Sequence, residues 1–478
     1  MLFNSIEYLF FLPIVFLLYW LVFKSREKQN ILIVIASYVF YGWWDYRFLL
    51  LIAFTTICSY TSAIIVDRKK ATGNFLGGAK IYTIANIVVN LLILGVFKYF
   101  NFFADSFAQL FNSIGISVHP VTLKLILPVG ISFYTFQALS YTIDVYKGKL
   151  QATHDVVSFF AFISFFPQLV AGPIERATNL LPQFQRDRRF DYITAVDGTK
   201  QILWGLFKKM VIADNCADIV DKIWLDYANH SSGMLIVAAI LFSFQIYGDF
   251  SGYSDIAIGT AKLFGIKLMR NFNLPYFSRS VAEFWKRWHI SLNTWFVDYV
   301  YIPLGGSREG KWKSIRNTFV IFLLSGLWHG ANWTYVSWGF YHAALFIPLL
   351  LLNRNKKYKG VVAEESVLPS LRELFQMSTT FVLAAIGWII FRANSIGDFW
   401  HYMSSMMANW KVADSLEGSK ALFFIAIMLM VEWLNRKKEH AFAFHIRNVY
   451  LRWFIYLLTA FVCLTQAGKQ VQFIYFQF

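Results

Sequence analysis

Two histidines pose the chemical question in this chain: His289, within Glu283-Phe284-Trp285-Lys286-Arg287-Trp288-His289-Ile290-Ser291, and His329, within Ser325-Gly326-Leu327-Trp328-His329-Gly330-Ala331-Asn332-Trp333. Both adjoin long apolar segments, where an ionisable side chain is costly unless it faces a polar cavity, so each is a candidate functional group. Read as a helix, 281–300 puts Lys286, His289 and Asn293 on one polar stripe ringed by Trp285, Trp288 and Trp295. Such a stripe suits a vestibule at headgroup level, and it equally suits an interfacial anchor helix whose Lys and Arg snorkel. In the second segment Ser325, His329 and either Asn332 or Trp333 share a helical face, between Leu323-Leu324 and Trp338-Gly339-Phe340. A histidine that only bonds a helix backbone is the plainer alternative. His342 comes 13 residues after His329, roughly 220° around a helix, and is given a structural role.

Other constellations are weaker. Asp249 and Asp255, in Tyr247-Gly248-Asp249-Phe250-Ser251-Gly252-Tyr253-Ser254-Asp255, lie nearly on opposite faces of a regular helix. They read as caps at a break near Gly248 and Gly252 in preference to a transporter's proton path. A metal site is not expected: catalytic zinc wants three protein ligands, and the nearest carboxylates, Glu283 and Asp298, lack the required spacing. Cys58, Cys216 and Cys463 are scattered among apolar runs and suggest packing. Nothing resembles a P-loop, a dinucleotide fingerprint or a serine nucleophile elbow.

The elements that must position these groups belong to a membrane. Of 478 residues 57% are hydrophobic, 19% aromatic and only 15% charged, with mean hydropathy +0.48; soluble domains carry about 25% charged residues. The expected fold is an all-α polytopic integral membrane protein with about ten to twelve spanning helices, read as one domain over 1–478 with a histidine-bearing core at 281–345. The net charge of +16 sits in short clusters between apolar runs, which argues for topology and against nucleic acid. Lys24, Arg26 and Lys28, then Arg68 to Lys80, Arg186 to Arg189, Arg308 to Arg316, Arg354 to Lys359 and Arg436 to Lys438 read as cytoplasmic, placing the N-terminus outside. The turns at 102–123, without Lys or Arg, and 214–226, with four Asp against Lys222, read as the opposite side. The run 8–23 lacks a basic lead and a small-residue cleavage site and reads as an uncleaved helix. The run 156–172 ends in Val170-Ala171-Gly172-Pro173 and reads as broken or re-entrant, and 353–373 as a charged cytoplasmic loop.

Several ordered motifs resemble the membrane-bound O-acyltransferase family, in the branch of the bacterial alginate O-acetyltransferase membrane subunit. They are Met1-Leu2-Phe3-Asn4-Ser5, Tyr41-Gly42-Trp43, Leu127-Pro128-Val129-Gly130-Ile131-Ser132-Phe133-Tyr134-Thr135-Phe136-Gln137, Gln168 to Ile174, Asp249 to Asp255, Asn271-Phe272-Asn273-Leu274-Pro275-Tyr276, the two histidine segments and Phe391-Arg392-Ala393. The resemblance covers nearly the whole chain and implies a bowl of helices with re-entrant and interfacial pieces around a central tunnel. It implies transfer of a short acyl group from a cytoplasmic thioester, with acetyl-CoA the expected co-substrate and no tightly bound cofactor, to a hydroxyl acceptor. His329 matches the family's near-invariant histidine and is assigned the proton-accepting role; His289 matches the second, and His289 or Asn332 is assigned to the oxyanion. Supporting or substrate-binding candidates are Ser325, Trp328, Lys286, Asn293, Asp249, Asp255 and Gln137. The branch implies a bacterial inner-membrane location, a polysaccharide acceptor and a separate extracytoplasmic SGNH-hydrolase-like acetyltransferase partner, besides membrane lipid. Competing readings are a polytopic transporter of polysaccharide precursors and a non-catalytic scaffold.

Overall fold

The computed structural model describes every residue except 74, 171, 412–416 and 475–478. Among the described residues all regular structure is helical. Among the described residues five helices are long and apolar enough to cross a membrane: Tyr46–Ala71, Gly77–Ser113, Ser232–Leu263, Trp333–Leu351 and Leu371–Arg392. Shorter apolar helices cover Ile6–Val22, Val156–Leu169 and Val449–Thr465. Contacts divide the chain into two compact units, one of residues 1–195 and 261–269, the other of 196–260 and 270–478.

In the first unit, helix Ile131–Tyr146 is buried on nearly every face, its Ser, Thr, Gln and Asp side chains included. Polar side chains tie it to its neighbours: Asn86 Nδ2 donates to Thr142 Oγ1 at 2.9 Å, while Ser59 Oγ and Asn90 Nδ2 both donate to Asn86 Oδ1. Inter-helix bonds of this kind are how apolar helices gain register where the surrounding solvent is itself apolar. The run from 156 breaks as expected, but at Phe165, between Val156–Ser164 and Phe166–Leu169; Ala171 of the quoted break lies outside the described residues. The freed carbonyl of Phe162 is satisfied twice, by Gln137 Nε2 at 2.9 Å and Gln168 Nε2 at 3.0 Å. The stretch 102–123, expected as a turn, is helical as far as Ser113. Its lack of Lys and Arg, which suggested an outer turn, is that of a largely apolar helix.

In the second unit the helix Ser232–Leu263, most of which lies there, runs without interruption through Gly248 and Gly252. The cap reading of Asp249 and Asp255 is therefore wrong. The glycines permit close approach instead: a Cβ on Gly205 would sit 2.6 Å from the Gly252 carbonyl, and one on Gly252 2.8 Å from the Gly205 carbonyl. Small residues at a helix crossing are the usual device for such contact in membranes. Gly205→Ala is expected to push the crossing apart at a cost of about 1–3 kcal/mol, read as a lower unfolding midpoint in detergent. Gly233→Ala, whose Cβ would meet its nearest neighbour at 4.0 Å, should leave the midpoint unchanged.

The loop 353–370 of this unit is anchored by guanidinium groups. Arg436 donates to the carbonyls of Val362, Ala363 and Ser366, and Arg279 and Arg287 both reach the carbonyl of Gly360. These charge-assisted bonds hold a long stretch that the sequence reads only as a charged loop.

Candidate active site

The 281–300 segment is two short helices, Val281–Arg287 and Ile290–Phe296, with His289 in the turn between them at φ 44°, ψ 54°. The single stripe expected from a continuous helix is broken there, because a left-handed residue reverses the direction in which later side chains leave the axis. Ser280 caps the first helix by accepting from the Glu283 N–H, and Glu283 in turn pairs with Arg279 at 3.0 Å and Arg287 at 2.8 Å. Asn293 Nδ2 donates to the carbonyls of Trp285 and Trp288 at 2.7 and 2.6 Å, closing the end of the first helix onto the second. Lys286 leaves this centre and donates to the Asn355 carbonyl at 2.8 Å.

His289 is buried and backed by Asn271. The backbone N–H of Ile290 donates to the Asn271 carbonyl at 2.9 Å, that of Asn273 to the Arg287 carbonyl at 2.9 Å, and His289 Nδ1 lies 3.2 Å from Asn271 Oδ1. Its ring meets Phe250 edge-on at 4.6 Å and Trp328 at 5.5 Å between centroids. Burial pushes the imidazole down to about 3, so the ring is neutral at ordinary pH.

His329 ends the helix Lys311–His329, and the chain reverses through Gly330 into Trp333–Leu351. The expected shared face of Ser325, His329 and Asn332 is cut by this reversal: Ser325 remains one turn before His329 and buried, whereas Asn332 caps the next helix. Its Oδ1 accepts from the Thr334 N–H at 3.0 Å and its Nδ2 donates to the Asn394 carbonyl at 3.0 Å. Both amide ends are thus engaged with backbone. Glycines explain why the hairpin is so tight. A Cβ on Gly326 would lie 2.2 Å from the Tyr335 carbonyl oxygen, and one on Gly330 would enter the Tyr335 ring. This closeness seats His329 between Trp338 at 5.1 Å and Phe391 at 5.3 Å, both nearly perpendicular to its ring.

The two histidines are brought together. Their ring centroids are 6.5 Å apart, and Trp328 packs on both, 5.1 Å from His329. His342 lies beyond, against Trp338 at 5.0 Å and Trp285 at 4.8 Å, within an aromatic packing environment. Gln137 belongs to the first unit, at the Phe162 carbonyl already described.

Asp249 and Asp255 face lysines that the sequence reading passed over. Lys209 Nζ is 2.8 Å from Asp249 and 2.8 Å from Asp214, and Lys208 Nζ is 2.5 Å from Asp255. Glu432 accepts from the Tyr247 hydroxyl at 2.9 Å. Lys208, Asp255, Arg270, Asn271, Glu432 and His440 are among the residues lining a small cavity. The signal was present, since Lys208, Lys209 and Glu432 are charges inside apolar runs. Among the described residues no three His, Cys, Asp or Glu side chains group as a metal site would need.

A buried histidine pair held by aromatic rings, on glycine-tightened apolar helices, can move protons in a dry site. The model of the membrane-bound O-acyltransferase family matches residues 149–355, which include both histidines. The chain is 41% identical to the "Probable alginate O-acetylase AlgI" of Pseudomonas aeruginosa, over 87% of this chain and 76% of that protein. It is 33% identical to the peptidoglycan O-acetyltransferase of Helicobacter pylori, over 83% of this chain and 78% of that protein. It is also 31% identical to the teichoic acid D-alanyltransferase of Bacillus subtilis, over 56% and 69%. The chain belongs to the membrane-bound O-acyltransferase family, and it is an O-acyltransferase.

Proposed function

We propose that this protein moves an acetyl group from a cytoplasmic thioester, acetyl-CoA, toward hydroxyls of an extracytoplasmic polysaccharide. It acts in the bacterial inner membrane with its N-terminus outside, through about ten to twelve membrane segments arranged as a bowl around a tunnel. A separate SGNH-hydrolase-like partner finishes delivery to the glycan. The observation that carries this reading is the meeting of His289 and His329 across 6.5 Å on one tryptophan. The relatives named for O-acetylation of alginate and peptidoglycan support an acetyl group and an envelope or secreted glycan.

In the transfer the acceptor hydroxyl oxygen attacks the thioester carbonyl carbon while its proton passes to His329. The tetrahedral intermediate collapses, the C–S bond breaks, and the departing thiolate takes the proton back from the imidazolium, leaving an ester. A neutral ring is the form that can accept, and exclusion of water by Trp328, Trp338 and Phe391 protects the thioester from hydrolysis.

The test is ester-linked acetate on purified envelope and secreted glycans, compared between a strain lacking this chain and the same strain complemented. Loss of acetate from an otherwise intact glycan, restored on complementation, is expected. Disappearance of the glycan itself would instead favour a precursor transporter, whose intramembrane carboxylates are Asp249 and Asp255.

A further inference from the structure

Asn271 sits at the junction of the cavity and the histidine pair, fully buried. Its side-chain amide has one permitted orientation. The backbone N–H of Ser291, which can only donate, lies 3.3 Å from Oδ1, and the Ser291 hydroxyl donates to the same oxygen at 2.8 Å. On the other side Nδ2 donates to Ser254 Oγ at 3.1 Å. Turning the amide over would set its NH2 against the Ser291 N–H, two donors face to face. The atom 3.2 Å from His289 Nδ1 is therefore an acceptor. The further neighbour of Nδ1, the Ser291 oxygen at 3.5 Å, is also able to accept. Nδ1 must carry the proton, and a neutral imidazole protonated there has its lone pair on Nε2.

We propose that Asn271 is a positioning residue that fixes His289 as the Nδ1–H tautomer, so that His289 meets the substrate through the Nε2 lone pair, as a second proton acceptor beside His329 and not as the oxyanion donor. The inference rests on the acyl-transfer reading for its catalytic meaning, though the tautomer itself does not. In this reading the acceptor hydroxyl enters the gap between the two rings, whose centroids are 6.5 Å apart, within hydrogen-bond reach of about 2.6–3.2 Å from a nitrogen of each. A hydroxyl in that gap meets a basic nitrogen at His289 whatever the state of His329. The left-handed backbone at His289 adds to the case, because strain of this kind persists where surrounding structure over-determines it. Here the pairing of Ile290 N–H with the Asn271 carbonyl supplies that constraint.

The experiment uses the full chain, labelled with 15N in its histidine rings and held in lipid nanodiscs, with the His289 signals identified by their loss in His289→Gln. A protonated Nδ1 and a pyridine-type Nε2 are expected in the wild type. Asn271→Leu, which keeps the volume and removes the acceptor, should give mixed tautomers and lower kcat at least 100-fold with KM within threefold. Asn271→Asp keeps an acceptor in place and should retain at least a tenth of kcat. Its carboxylate favours the imidazolium, so the His289 pKa rises and the acidic limb of the pH profile moves upward by one unit or more. Around His289 lie Asn271, Ser291 and the rings of Phe250, Phe272, Trp328 and His329, and among the described residues in these contacts His329 is the group that can titrate beside it. His329→Gln separates its contribution to the limb. A protonated Nε2 in the wild type would overturn the proposal, as would an Asn271→Asp enzyme with an unmoved limb. Should Asn271→Leu fail to fold, the wild-type spectrum and Asn271→Asp still decide. Absence of thioester-dependent transfer in the wild type would count against the acyl-transfer reading alone, because the spectrum reports the tautomer independently.

Discussion

Alanine at position 329 is expected to lower acyl transfer by about 10²–10⁴-fold, the range over which a positioned general base contributes. The ring it removes is oriented on three sides by Trp328, Trp338 and Phe391, at 5.1, 5.1 and 5.3 Å. Alanine also opens a small cavity in an aromatic cage, so His329→Gln is the companion variant: it fills more of the space and lacks a basic nitrogen. Both variants should lose transfer together, with KM for the thioester nearly unchanged, since the imidazole acts on the proton in flight and not on donor binding. The measurement is single-turnover acetyl transfer from radiolabelled thioester by purified protein in nanodiscs. Activity within tenfold of wild type in both variants would remove His329 from the chemistry and leave the scaffold reading standing.

How legible was this site? Both histidines stood out in the sequence because an ionisable group beside apolar runs is rare and costly, and the structure does bring them together. Their mutual geometry was hidden, since it depends on two local departures from helix that no hydrophobic period encodes. One is the left-handed turn at His289, held by backbone bonds between Ile290 and Asn271 and between Asn273 and Arg287. The other is the reversal at Gly330, which turns Asn332 from a facing side chain into a cap. Asp249 and Asp255 failed for a different reason. Gly248 and Gly252 beside a carboxylate look like a helix break, and only the partner helix with Gly205, Lys208 and Lys209 shows that the glycines serve approach and the carboxylates serve ion pairs. The apolar helices were readable by composition, and Leu464 on Val449–Thr465 is 81% exposed, as a lipid-facing side chain would be.

Lys209→Met is expected to destabilise the fold by about 3–5 kcal/mol, because it strips the partner from two buried carboxylates. The ammonium lies 2.8 Å from both Asp214 and Asp249, and donates to the Val471 carbonyl at 3.0 Å; its side chain is 1% exposed and the carboxylates 3% and 4%. Methionine fills the stem but answers neither charge. The conversion of Asp214 and Asp249 to asparagine in the same chain should recover much of the loss, since what is costly is the uncompensated charge and not the absence of the pair. Lys222→Met supplies the contrast. Its bridge to Asp218 at 2.9 Å joins side chains that are 61% and 36% exposed, and solvent screening leaves no measurable change. Unfolding midpoints in one detergent, read for all variants, check the series. A second consequence follows from the C-terminal segment. Ile474 N–H donates to Asp249 Oδ2 at 2.7 Å and Gly468 N–H to the Met210 carbonyl at 3.0 Å. Phe473 then packs on Phe250, whose ring meets His289 edge-on. Loss of Lys209 should therefore loosen residues 468–474 to protease before the rest of the chain and lower transfer through His289's packing. If the midpoint falls while proteolysis of that segment is unchanged, the ion cluster stabilises the helices alone and the C-terminal segment is held by its apolar contacts.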